Sequence, residues 1–72
     1  MLKDNVFRYT FYLNKIFITN YLSIILMSDN KFVLKTNFGK LEINGNSLRI
    51  KKILNKTILI VGNINKVENI YE

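Results

Sequence analysis

Apolar and polar residues alternate in short stretches along this chain, and clusters of Asn, Asp, Ser and Gly separate the stretches. The clusters are Ser28-Asp29-Asn30, Asn37-Phe38-Gly39, Asn44-Gly45-Asn46, Asn55-Lys56 and Gly62-Asn63. In a chain without proline these residues are the turn signals. A period of two marks strands, whereas a helix needs apolar residues at i, i+3, i+4 and i+7 over ten or more positions. No window here carries that stripe. The pattern predicts an all-β fold, a small antiparallel β-roll or sandwich of six to eight short strands. A β-solenoid-like stack is the alternative, because Leu-x-Ile units recur at near-regular spacing.

Eight strands are predicted, over residues 6–12, 15–19, 21–27, 31–36, 40–44, 47–53, 57–61 and 64–71. In the first, Phe7, Tyr9 and Phe11 share a face and are candidates for one wall of the core. The stretch 57–61 is apolar on both faces and reads as a central strand. Leu41, Ile43, Leu48 and Ile50 point inward, and Glu42, Arg49 and Lys51 point outward. One hairpin register follows if Gly45 and Asn46 form a two-residue loop. Ile43 then faces Leu48, Leu41 faces Ile50, and Glu42 faces Arg49. Gly39, Gly45 and Gly62 are assigned to turn positions with positive φ.

Length limits what such a core can do. Seventy-two residues make one domain, taken as 1–72. A core of that size contributes roughly 3–5 kcal/mol. Cysteine is absent, so no disulfide adds to it. The hydrophobic share, 49%, is high for so short a chain and points to apolar surface buried against a partner or a second copy. The longest apolar stretch, 16–27, is too short to span a bilayer, which takes about 20 residues. Residues 1–12 carry Lys3, Asp4, Asn5 and Arg8, so no secretory signal is expected there.

Candidate chemistry is sparse. With no His and no Cys, the commonest bases, nucleophiles and zinc ligands are missing. The acids Asp4, Asp29, Glu42, Glu68 and Glu72 have no motif spacing, and the glycines form no phosphate-binding loop. No catalytic, cofactor or metal residue is assigned, and the chain is not expected to be an enzyme. The net charge of +6 raises nucleic acid or an anionic surface as partner. Lys35, Lys40, Arg49, Lys51 and Lys52 are the candidate interaction surface, and a basic β-sheet nucleic-acid-binding module is the alternative function. Ala, Pro, Cys, Trp, His and Gln are absent while Asn, Ile and Lys abound, as in an AT-rich genome. That bias supplies lysine without reference to a partner and weakens the nucleic-acid reading.

The second half of the chain reads Thr36-x-x-Gly39-x-Leu41-x-Ile43-x-Gly45-x-x-Leu48-x-Ile50-x-x-Ile53, then Ile58-x-Ile60-x-Gly62-x-Ile64-x-x-Val67. This resembles the YabP/YqfC family of bacterial sporulation proteins, and the YqfC branch above all. Upstream, Arg8-x-Thr10, Asn14-Lys15 and Ile18-x-Asn20-Tyr21 agree more loosely. The family usually has Gly where this chain has Leu13 and Ser23, and its preceding basic segment is missing here. The resemblance implies a non-enzymatic scaffold or adaptor in mother-cell spore coat or cortex assembly, in a spore-forming low-G+C Gram-positive bacterium. It implies a cytoplasmic location, peripheral to a membrane, and a YqfD-like membrane protein as candidate partner. Homo-oligomerisation is a further expectation.

Overall fold

The computed structural model describes residues 6–71. Asp4 and Glu72 lie outside the described residues. Six strands form: β1 (Arg8–Tyr12), β2 (Lys15–Thr19), β3 (Ser23–Met27), β4 (Lys31–Thr36), β5 (Gly39–Leu54) and β6 (Thr57–Tyr71). They make one sheet in the order β1-β2-β6-β5-β4-β3, and every neighbouring pair is antiparallel. The all-β antiparallel expectation therefore holds. A solenoid, which stacks its strands in parallel, is excluded.

Six is within the six to eight strands expected, and four of the eight stretches read from the sequence merge into two. The stretches 40–44 and 47–53 are halves of β5, and 57–61 and 64–71 are halves of β6. The two long strands pair with each other from Gly39↔Tyr71 to Leu54↔Thr57, closed by a turn at Asn55-Lys56. The register built on a Gly45-Asn46 loop is wrong. Ile43 lies opposite Val67, Leu41 opposite Asn69, Glu42 opposite Glu68, and Arg49 opposite Val61. Glu42 instead forms an ion pair with Lys31, Nζ to Oε1 3.7 Å.

The physical reason lies in what Gly45 does. It is not a positive-φ turn residue, as positive φ among the glycines occurs only at Gly39 and Gly62. Gly45 sits within β5, where a Cβ would collide with the backbone carbonyl of Asn63 on β6. The strands are pinched together there, and only a residue without a side chain fits. Around this point the ladder slips at Asn44/Gly45, Asn46/Arg49 and Ile50/Lys52. Such bulges bend a strand and sharpen its twist.

The bend divides the sheet into two halves. Residues 57–61 of β6 carry β2 and then β1 on one side. Residues 39–44 of β5 carry β4 and then β3 on the other. One core is shared between them. Ile16, Ile18, Ile58 and Ile60 come from the first half, and Phe32, Leu34, Leu41 and Ile43 from the second, all essentially inaccessible to solvent. Residues 57–61 are indeed central, flanked by β2 and β5. Phe7 closes one end of the core. Tyr9 and Phe11 are on the same face but half-exposed, because β1 is an edge strand.

Candidate functional site: a cationic sheet face

Residues directly opposite in an antiparallel ladder share a face, so the outer surface of the first half follows from the register. One row across it is Tyr12, Lys15, Val61 and Arg49. The next is Thr10, Phe17, Leu59 and Lys52. Lys51 is the extra residue in the slip between Ile50 and Lys52. Lys15, Arg49, Lys51 and Lys52 are all exposed. No acidic residue is among these positions. Glu42 and Glu68 face each other on the second half, where Lys31 and Lys66 pair with them, and Asp29 lies in the β3–β4 turn. The acids of the described residues therefore lie outside the half that carries Lys15, Arg49, Lys51 and Lys52.

The five sequence-assigned cations do not form one surface. Lys35 and Lys40 lie opposite each other beside the Asn37-Phe38 turn, on the second half. Arg49, Lys51 and Lys52 belong to the first half. The residue they are joined by is Lys15, which lies 34 positions before Arg49 in the sequence and comes alongside it only through the sheet. A shallow depression of about 420 Å³ opens here, lined by Asn14, Lys15, Ser47, Arg49, Lys51 and Asn63. Its floor is the bend itself. The Gly62 amide donates a 3.0 Å hydrogen bond to the Asn14 carbonyl, which fastens the β1–β2 turn to β6.

That turn holds a residue whose identity opposes its conformation. Leu13 has φ of 55° and is 72% exposed, beside Tyr12 at 67%. The left-handed region costs a residue with a Cβ about 1–2 kcal/mol, and glycine almost nothing. The Gly that the resemblance implies at this position fits the observed backbone. Leu13→Gly is therefore expected to stabilise the fold by about 0.5–1 kcal/mol, read as a higher urea midpoint. A lower midpoint would mean that the Leu13 side chain packs on the fold.

A second depression, about 340 Å³, lies between Phe7, Tyr9, Phe38, Asn69 and Tyr71. The Asn69 Oδ1 is buried there without a hydrogen-bond partner among the described residues. No group of three or more His, Cys, Asp or Glu that could hold a metal ion occurs among the described residues. No helix there is long and apolar enough to cross a membrane.

The sheet edges are the other open surface. β3 is a terminal strand with the sequence Ser-Ile-Ile-Leu-Met, and Ile25, Leu26 and Met27 are 44–57% exposed. Leu22, just before it, is similarly exposed. A bulge between Ile24 and Leu26 is its one protective irregularity. The lysines and prolines that commonly shield such edges are absent from it.

The glycines that pinch the bend, Gly45 and Gly62, both fall within the motif that carries the resemblance. A family model, described as the YabP family, matches residues 13–71. The chain belongs to the YabP family. The match begins at Leu13 and takes in all of β2 to β6, so the bend, the cationic face and the β3 edge all lie within the YabP region. YabP proteins are associated with sporulation, with which a sporulation role for this chain is consistent, and the family is not known as an enzyme family. No curated protein and no solved structure matches the chain.

Proposed function

We propose that this YabP-family domain is a non-enzymatic adaptor or scaffold in spore envelope assembly, acting in the mother cell. In this reading it docks a protein partner, and a YqfD-like membrane protein is the candidate. The observation that supports it is the β3 edge. An uncharged apolar edge strand offers unpaired backbone groups and side-chain contacts at once, which is what strand addition by a partner requires. In a freely monomeric protein the same edge would be an aggregation hazard. Self-association through this edge is part of the proposal.

The experiment is co-purification with the YqfD-like membrane protein, with light scattering to read the oligomeric state. Ile25→Lys combined with Met27→Lys places charge on the edge. Ile25 has no ladder partner and both positions are exposed, so stability should change by no more than about 0.5 kcal/mol per site. Co-purification and self-association are expected to be lost while the urea midpoint is retained. A double variant that still assembles would remove the edge from the proposal. Deletion of the gene is expected to reduce the count of heat-resistant spores, and an unchanged count would argue against the biological role.

A further inference from the structure

We propose that the cationic face and the Leu13-Asn14 turn, with Tyr12 beside it, dock this domain on the surface of a bilayer containing anionic phospholipid. This inference is independent of the β3 edge, which is on the opposite side of the strand order.

Three observations meet at this place. The first is charge. Lys15, Arg49, Lys51 and Lys52 are exposed together on a sheet half whose described outer face holds no acid. Basic side chains near an anionic leaflet each strengthen binding roughly fivefold. The second is the depression between Lys15, Arg49 and Lys51, which has hydrogen-bond donors from Asn14, Asn63 and Ser47 at its rim and room for a phosphate-bearing headgroup. The third is Leu13. It holds a left-handed backbone and a water-exposed side chain at the same time, so neither folding nor solubility accounts for it. A bilayer accounts for it. The side chain leaves water when the tip enters the interface, and Tyr12 beside it has the amphipathic ring that favours that depth. The hydrogen bond from Gly62 to Asn14 holds the tip in place beforehand, so little ordering is left for the binding step.

Single-stranded nucleic acid is the competing anion. A stacking platform presents aromatic faces to successive bases. Across the two rows the aromatics are Phe17, next to the half-buried aliphatic Leu59, and Tyr12, the last residue of β1. Leu13 has no use in such a platform. The observations favour lipid.

The test is co-sedimentation of the purified chain with vesicles of phosphatidylcholine, with and without phosphatidylglycerol, at low and high salt. Binding is expected only with phosphatidylglycerol and should fall steeply as salt rises. Arg49→Gln with Lys51→Gln should weaken it roughly 25-fold, and Leu13→Gly about tenfold or more. Leu13→Gly is the decisive variant, since it is expected to raise stability while lowering affinity. No enrichment on phosphatidylglycerol vesicles would overturn the proposal. So would a Leu13→Gly protein that binds vesicles as the parent does, or tighter binding to single-stranded DNA with no effect of Leu13→Gly.

Discussion

Gly62→Ala is expected to leave the domain without a cooperative unfolding transition. Gly62 has φ of 143°, a region that residues with a side chain rarely enter, at a cost of order 1–3 kcal/mol. A Cβ there would also lie 2.6 Å from the Ser47 carbonyl oxygen and 2.9 Å from the Leu48 Cα. Both obstacles are backbone, so no rotamer change relieves them. The strand cannot easily retreat either, because the Gly62 amide is bonded to Asn14 and Leu48 is buried in the core. Overpacking of this kind adds about 1–3 kcal/mol. The sum matches the roughly 3–5 kcal/mol available to a core of this size. Far-UV circular dichroism during a urea titration reads the result. Val61→Ala, one residue away and half-buried, is the control and should cost about 1 kcal/mol. A Gly62→Ala protein as stable as that control would mean the bend can relax.

Ile60→Ala has the second largest expected effect. Ile60 is inaccessible to solvent and lies between Ile16 of β2 and Ile50 of β5. Truncating a buried Ile to Ala costs about 2–5 kcal/mol, the spread reflecting how far the site collapses. A large part of the population should then be unfolded without denaturant. Ile53→Ala removes the same atoms at a position 53% exposed and should cost about 1 kcal/mol or less. Equal losses in urea midpoint at the two sites would contradict the shared core.

Much of the fold was legible in local pattern. The turns at Ser28-Asp29-Asn30, Asn37-Phe38 and Asn55-Lys56 stand where the clusters of turn residues do, and Leu41, Ile43 and Leu48 point inward as their spacing requires. What failed was the meaning of Asn44-Gly45-Asn46. A hairpin turn and a pinched bulge both select Asn and Gly, and the difference depends on β6, whose pairing residues come some twenty positions later. The cationic face failed for a related reason. Arg49, Lys51 and Lys52 are visible as a run, but Lys15 joins them only through the β2–β6 and β5–β6 registers, and Lys35 and Lys40 lie on the other half for the same reason. Leu13 carried a signal in the sequence, a departure from the Gly that the resemblance implies, but its strain becomes visible only with the φ angle.

The strand order also sets a timetable for synthesis. β2 is complete at Thr19, and the segment it pairs with begins at Thr57. Two neighbouring strands close in ~1–10 μs once both exist. At roughly 5–20 residues per second, a ribosome needs on the order of 2–8 s to reach that segment. For that interval the first-made hairpin holds Ile16 and Ile18 with no sheet to cover them, and the last-made strand ends the wait. Because the segment that covers Ile16 and Ile18 belongs to the last strand to be made, the N-terminal hairpin is the place where a chaperone would have work to do while the chain is incomplete.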